Sequence, residues 1–122
     1  MPIHTVLVVD DSPTERFFLA DLLTKAGFVV STADSGEEAM NKARELMPDL
    51  VLMDVVMPGV NGFQVTRQIT RDPGLGHIPI IICTSKGQET DRYWGMKQGA
   101  RDYVVKPVDP KDLLTKIRAC ES

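Results

Sequence analysis

Residues 6–15 read VLVVDDSPTE, and this short stretch contains a complete transition from a strand to a helix. The run that ends at Val9 is rich in β-branched residues, which favour strands. It stops at two aspartates, Asp10 and Asp11, and a helix-start sequence follows at once. A strand that leads directly into a helix in this way is typical of an α/β fold.

The predicted first helix has a recognisable start and end. Ser12 is a typical N-cap, Pro13 suits the first helical position, and Glu15 predicts a capping box with Ser12. Gly27 is typical of the position just after a helix. Between these limits, apolar residues recur at helical spacing, at Leu19, Leu22, Leu23 and Ala26.

Strand-like and helix-like segments then alternate along the rest of the chain. Strand patterns lie at residues 28–31, 50–53, 78–83 and 102–105. Helix patterns start after Ser35, which predicts a second capping box, cover residues 61–70 and 88–98, and resume after Asp109. We expect Ala39, Ala43 and Leu46 to face the core. Five strands alternating with five helices predict a parallel sheet with helices on both faces.

The composition fits one globular domain over residues 1–122. The 14 Lys and Arg against 17 Asp and Glu give a net charge of −3, and 43% of the residues are hydrophobic. This content argues against intrinsic disorder. A nucleic-acid binder that ignores sequence needs a basic face, so the acidic balance argues against that class as well.

The cysteines and the N-terminus indicate a cytoplasmic protein. Cys83 lies in an apolar run and is expected to be a small core residue, and Cys120 has no cysteine or histidine at metal-ligand spacing. No signal peptide is visible, and no apolar run approaches the roughly 20 residues that a membrane span requires. We therefore expect neither disulfides nor membrane insertion.

Polar residues follow four of the predicted strands. Asp10 and Asp11 end the first strand, Asp54 follows the third, Thr84 ends the fourth, and Lys106 follows the fifth. Taken singly, each has an ordinary explanation, such as a helix-dipole partner or a turn residue. Because the carboxyl ends of parallel strands share one edge of the sheet, the fold is expected to gather all five into one pocket.

The chemistry of that pocket follows from its charges. Crowded carboxylates repel each other, and a hard cation such as Mg²⁺, or Mn²⁺, relieves the repulsion. Asp11 and Asp54 are expected to bind the ion directly, Asp10 through water, and Val56 through its backbone carbonyl. The remaining positions suit a phosphoryl group, with Asp54 as the nucleophile and Lys106 neutralising charge. His4 and His77 lie away from the strand ends and are expected to be surface residues.

At these residues the chain resembles the receiver domains of two-component response regulators, over its whole length. The matching segments are Val8–Ser12, Leu52–Asp54, Met57–Gly59, Asn61–Gly62, Thr84–Ser85, Gly99–Ala100 and Lys106–Pro107. The resemblance implies a flavodoxin-like five-stranded sheet in the order 2-1-3-4-5. It also implies that Asp54 receives a phosphoryl group from a sensor histidine kinase, that Asp10, Asp11, Asp54 and the Val56 carbonyl hold the metal, and that a cis bond before Pro107 orients Lys106.

The resemblance also implies a conformational switch. Thr84 matches the switch hydroxyl of the family and Tyr103 its switch aromatic. On phosphorylation Thr84 turns toward the phosphoryl oxygens and the Tyr103 ring moves inward. This reshapes the face formed by the fourth helix, the fifth strand and the fifth helix, which then controls a partner protein. Without the resemblance, Tyr103 reads as a half-buried aromatic residue.

A finer resemblance concerns the pathway. Residues 11–15 and 85–95 are similar to single-domain regulators of the chemosensory systems that control type IV pili, which serve twitching motility and phototaxis. This implies a chemotaxis-type histidine kinase as phosphodonor and an unidentified motility protein as target. Nothing signals an extra dimerisation element, so we expect a monomer.

Two positions depart from the pattern of flagellar chemotaxis regulators. Val56 replaces a polar residue two places after Asp54, and Lys86 stands two places after Thr84, where an acid is common. Both are expected to border the phosphoryl group. We predict that Lys86 stabilises the phosphorylated form through its charge and that Val56 offers no group to orient the attacking water. Both residues thereby tune the lifetime of the acyl phosphate.

Other functions compete with a phosphorylation switch. A phosphate sink for a kinase shared with another regulator uses the same chemistry, and the sequence does not separate the two. An aspartate-nucleophile phosphatase normally carries a second Asp where this chain has Val56. An FMN site needs a phosphate-cradling loop where Asp10 and Asp11 repel an anion. A receiver that never accepts phosphate conflicts with the full set of pocket residues. We therefore expect no enzymatic activity beyond self-phosphorylation and slow self-dephosphorylation.

Overall fold

The computed structural model describes residues 2–121 as strands and helices in strict alternation. In chain order the elements are β1 (Thr5–Val9), α1 (Pro13–Lys25), β2 (Val29–Ala33), α2 (Gly36–Leu46), β3 (Leu50–Met53), α3 (Gly62–Arg71), β4 (Ile80–Thr84), α4 (Glu89–Lys97), β5 (Asp102–Val105) and α5 (Pro110–Ala119). The predicted bounds differ most for β1, β2 and β4, each of which begins one or two residues later than the apolar pattern indicated.

The strands form one parallel sheet in the order β2-β1-β3-β4-β5, which confirms the predicted flavodoxin-like fold. Val9 pairs with both Ala33 and Met53, and at the other side of the sheet Thr84 pairs with Val105. This register brings the carboxyl ends of all the strands to one edge. Parallel strands require crossovers, and the helices supply them on both faces.

Two apolar layers hold the helices on the sheet. One layer joins α1 and α5 to the sheet through Leu19, Leu23, Leu113 and Ile117. The other joins α2 and α3 to it through Ala39, Ala43, Val65 and Ile69. Cys83 is buried in the first layer, as expected of a core residue. Leu46, expected on the inner face of α2, is instead half-exposed, and it is the last residue of that helix.

Helix α4 is attached differently from the other helices. It buries only Gly95, where an added Cβ would lie 2.8 Å from Ile82 Cδ1 and 3.1 Å from Tyr103 Cε2. Absence of a side chain at Gly95 therefore lets the helix backbone approach β4 and β5 closely. The other apolar side chains of the helix, Tyr93, Trp94 and Met96, remain exposed, in agreement with the predicted exposed helix.

Each of the capping boxes predicted for α1 and α2 forms only one of its two hydrogen bonds. Ser12 Oγ accepts the Glu15 N–H and Ser35 Oγ accepts the Glu38 N–H, as predicted. The reciprocal bonds are replaced, however. The Ser12 N–H donates to Asp10 Oδ1 (2.9 Å), and the Glu38 carboxylate accepts the N–H of the residue before Ser35 (3.0 Å).

The start of α3 is pressed against the end of β3. An added Cβ on Gly62 would lie 2.0 Å from the Asp54 carbonyl oxygen, so only glycine fits there. Asn61 caps the helix, and a full capping box with Gln64 is present that the sequence analysis did not predict. This close approach ties the loop after Asp54 to a helix end. Within residues 2–121, no helix is long and apolar enough to cross a membrane.

Candidate functional site

Backbone hydrogen bonds carry the sheet ladder one residue beyond the strands and fix the residues of the site. The Asp54 N–H donates to the Val9 carbonyl (2.9 Å), and the Lys106 N–H donates to the Thr84 carbonyl (2.8 Å). The Asp10 N–H is held in the same way by the end of β2. The side chains of these residues are therefore placed by the sheet itself rather than by flexible loops.

Three carboxylates meet at this edge. One oxygen of each of Asp10, Asp11 and Asp54 lies within 4.8 Å of the others. Asp10 and Asp54 are buried, whereas Asp11 is exposed at the rim. Oxygen ligands at this spacing, with one open side for retained water, are what Mg²⁺ prefers. The donor set fits that ion. The Val56 N–H donates a hydrogen bond to Asp54 Oδ1 (3.4 Å). The role of the Val56 carbonyl as a metal ligand stays a prediction.

Lys106 is the cation that faces the carboxylates. Its Nζ lies 2.6 Å from Asp10 Oδ2 and 3.8 Å from Asp54 Oδ2, and its side chain is 13% exposed. Burial acts to lower the pKa of Lys106, but the hydrogen bond to Asp10 and the charges of Asp54 and Asp10 outweigh it and raise the pKa. Lys106 therefore stays charged at neutral pH. The Lys106–Pro107 bond is cis, as the resemblance implied.

Asp54 occupies the least favourable position for a negative charge. Burial raises its pKa above the usual value, the Asp10 carboxylate raises it further, and Lys106 opposes both effects. Two like charges about 4 Å apart repel by about 4 kcal/mol at an effective dielectric constant near 20. The folded protein thus holds a carboxylate that a cation would stabilise.

The first turn of α1 contributes two residues that the sequence analysis did not assign to the site. Glu15 Oε2 lies 3.9 Å from Lys106 Nζ. Arg16 Nη1 donates to the Asp10 carbonyl at 2.7 Å. The sequence pattern predicts a capping role for Glu15, so it does not indicate that the Glu15 carboxylate lies near Lys106. The available signal was position, because both residues lie in the helical turn that begins immediately after the two aspartates.

The two residues predicted to act as a switch, Thr84 and Tyr103, are connected by the loop that follows β4. Thr84 is buried, and its hydroxyl accepts a long hydrogen bond of 3.5 Å from the Lys86 N–H. The Tyr103 hydroxyl donates to the Lys86 carbonyl at 2.6 Å, and the Arg92 guanidinium lies 5.4 Å from the centre of the Tyr103 ring. Lys86 therefore joins Thr84 and Tyr103 through its backbone alone.

Tyr103 adopts the inward position. Its ring is only 1% exposed, so the alternative of a half-buried aromatic residue is wrong. Burial, and next the charge of Asp91, raises the pKa of Tyr103 to about 12, so its hydroxyl remains a hydrogen-bond donor at neutral pH. The ring lies inside in this structure, and its movement on phosphorylation stays a prediction.

Five further residues were singled out from the sequence: the two histidines, Val56, Lys86 and Cys83. His4 and His77 are exposed, as expected. They precede β1 and β4 and so do not lie at the carboxyl ends of the strands. The Val56 side chain is 51% exposed, and Lys86 is exposed in the loop after β4. Burial raises the pKa of Cys83 to about 12, which keeps this thiol protonated and unreactive at neutral pH.

Comparison with protein families identifies the same pattern over most of the chain. A model described as the response regulator receiver domain matches residues 6–118. Protein PilH of Pseudomonas aeruginosa is 54% identical over 114 residues, which cover 93% of this chain and 94% of that protein. The DNA-binding response regulator MtrA of Mycolicibacterium smegmatis is 41% identical, but the matched region spans only 49% of it.

Solved structures agree in fold. The chemotaxis protein CheY4 of Vibrio cholerae superposes with a TM-score of 0.90 at 31% identity and covers 98% of this chain and 99% of that one. A structure from Chloroflexus aurantiacus gives a TM-score of 0.92 at 33% identity and covers 98% of each chain. The likeness therefore extends over the whole sheet and its helices.

We predict that Asp54→Asn raises the unfolding temperature at neutral pH. The raised pKa means that the folded state disfavours the charged carboxyl, so ionised Asp54 destabilises the fold. As the pH falls through the raised pKa toward the usual 3.8, Asp54 takes up a proton and the advantage of the variant shrinks. Thermal unfolding monitored by circular dichroism across this pH range measures the difference.

Asp21→Asn is the matched control for this prediction, because Asp21 is a largely exposed aspartate paired with Lys25 on α1. Its unfolding temperature should differ from that of the wild type by no more than about 2 °C at every pH, because an exposed i,i+4 ion pair contributes only about 0.3–0.5 kcal/mol. A lower unfolding temperature for Asp54→Asn at neutral pH contradicts the electrostatic description of the site.

Proposed function

The chain belongs to the response regulator receiver domain family, and on that premise we propose that Asp54 is the phosphoacceptor of a phosphorelay. One observation carries the proposal: Asp54 shares the carboxylate cluster with Asp10 and Asp11, and its Oδ2 lies 3.8 Å from the Lys106 ammonium. This arrangement offers one nucleophilic oxygen, a cation-binding group and a fixed positive charge. Phosphoryl transfer needs little beyond positioning and charge neutralisation.

The transfer itself is a direct displacement at phosphorus. A carboxylate oxygen of Asp54 forms a bond to phosphorus as the bond from phosphorus to a phosphohistidine nitrogen breaks, and the imidazole leaves. The Lys106 ammonium then donates hydrogen bonds to the phosphoryl oxygens. Asp10, Asp11, Asp54 and the Val56 carbonyl are the groups that would hold Mg²⁺. When bound, that ion supplies positive charge to the transferring phosphoryl group.

The output is proposed to pass through the loop after β4. A phosphoryl group on Asp54 gives the Thr84 hydroxyl a new acceptor, and Lys86, two residues later, is bonded to both Thr84 and Tyr103. A shift of this loop therefore acts on Tyr103 and on α4, which packs against Tyr103 through Gly95. The face formed by α4, β5 and α5 is the proposed surface that a target protein recognises.

The proposed pathway is the control of type IV pilus motility or taxis. It is supported by the 54% identity to Protein PilH and by the structural likeness to a chemotaxis protein. The proposed phosphodonor is accordingly a chemotaxis-type histidine kinase. A pull-down with phosphorylated and unphosphorylated protein separates a switch, which captures a target only when phosphorylated, from a phosphate sink, which captures the kinase alone.

We predict that incubation with acetyl phosphate and Mg²⁺ adds one phosphoryl group to the wild-type protein, as measured by intact-mass spectrometry. Asp54→Asn and a sample with excess chelator should gain none, because one lacks the nucleophile and the other lacks the cation. Asp21→Asn serves as the matched control and should be labelled like the wild type. Labelling of folded Asp54→Asn, or labelling without a divalent cation, contradicts the proposal.

We also predict that Lys86→Glu and Val56→Asn each shorten the lifetime of the acyl phosphate, by about three-fold or more. The first replaces a favourable charge beside the phosphoryl group with a repulsive one. The second supplies a polar group that can orient the attacking water. Loss of the added mass over time measures both rates, with Lys25→Glu, a charge reversal at the end of α1, as control. Unchanged rates in both variants mean that these positions do not tune the lifetime.

A further inference from the structure

We propose that Glu15 is a positioning residue that holds Lys106 before phosphorylation and competes with the incoming phosphoryl group for it. The inference rests on the proposed function of Asp54. It assigns to the first turn of α1 a role in setting how fast an anionic donor phosphorylates the protein. The same turn is capped by Ser12, and the Glu15 carboxylate takes no part in that cap.

Asp10 directs the Glu15 side chain away from its usual capping role. In a capping box the Glu15 carboxylate would accept the Ser12 N–H. In this protein that N–H donates to Asp10 Oδ1 at 2.9 Å. The Glu15 carboxylate instead lies 3.9 Å from Lys106 Nζ and is 39% exposed. The helix therefore keeps its Ser12 cap while the carboxylate faces the pocket.

Lys106 is shared among three carboxylates, and their contacts differ in strength. The contact with Asp10 is short (2.6 Å) and buried, whereas those with Asp54 (3.8 Å) and Glu15 (3.9 Å) are longer. An ammonium has three hydrogen-bond donors, and a phosphoryl group on Asp54 presents three new acceptor oxygens. Only the contact with Asp10 is a hydrogen bond, so Glu15 and the phosphoryl group compete for Lys106 through their charges, and the partly exposed Glu15 is the partner that solvent screens most.

The charge of Glu15 also acts on the approaching donor. The two contacts of Lys106 place the Glu15 carboxylate within one Debye length of the Asp54 acceptor oxygen, about 8 Å at physiological ionic strength. Small phosphodonors are anions, and this charge repels them as they approach Asp54. Removing it therefore frees Lys106 and weakens the repulsion of the donor, and both effects accelerate phosphorylation.

The test compares initial rates of phosphorylation by sub-saturating acetyl phosphate in the presence of Mg²⁺. We expect Glu15→Gln to react about two- to five-fold faster than the wild type at low salt, the range set by one partly exposed ion pair. Raising the ionic strength should shrink the difference, because exposed charges are screened. Glu15→Asp, which retains the charge, should stay within about two-fold of the wild type.

Glu37→Gln is the matched control, because Glu37 is an exposed acid in the first turn of α2 and its loss affects a helix dipole equally. Its phosphorylation rate should equal that of the wild type. Equal rates for Glu15→Gln and the wild type, or an acceleration that salt does not diminish, overturn the inference while leaving Asp54 as acceptor. If the wild type gains no phosphoryl group, the proposed function fails, and this inference with it.

Discussion

The parallel register of the sheet is the constraint on which the site depends. Because the backbone ladder continues past the strands, the N–H groups of Asp54 and Lys106 are bonded to neighbouring chain segments, and their side chains must emerge at one edge. Residues more than 90 positions apart, such as Asp10 and Lys106, thereby form a contact of 2.6 Å. Gly62 extends this constraint to α3, whose first residue touches the Asp54 carbonyl. The sheet thus places these charged side chains together at one edge.

The concentration of negative charge is at once a cost to stability and the source of reactivity. Burial and the Asp10 carboxylate both raise the pKa of Asp54, so the fold holds this group under unfavourable conditions. A divalent cation, and then a phosphoryl group that draws Lys106 toward itself, change the balance of charge in the pocket. Perturbed pKa values of this kind are concentrated at functional sites. The bonds from Lys86 to Thr84 and Tyr103 give that change a route to α4.

Sequence patterns predicted the fold class and the placement of the polar residues at strand ends, because both follow from the alternation of elements and the parallel sheet, whereas the strand order came from the resemblance to receiver domains. They failed where side chains had a choice of partners. The pairing of Glu15 with Ser12 was a sound local prediction, but Asp10 takes the Ser12 N–H, and no local pattern reveals that competition. The inward position of Tyr103 likewise depends on the Lys86 carbonyl and on the space left by Gly95, two features that only the folded chain brings together.

The most direct test of this account is a crystal structure of the protein with Mg²⁺ and beryllofluoride, a mimic of the phosphoryl group. The account predicts beryllofluoride on the Asp54 carboxylate and an ion about 2.1 Å from oxygens of Asp11, Asp54 and Val56. It also predicts that Lys106 Nζ leaves Glu15 and contacts a fluoride. A structure in which the ion lies elsewhere, or in which Asp54 carries no beryllofluoride and Lys106 keeps its present contacts, contradicts the claim that these strand ends form a phosphoryl-accepting site.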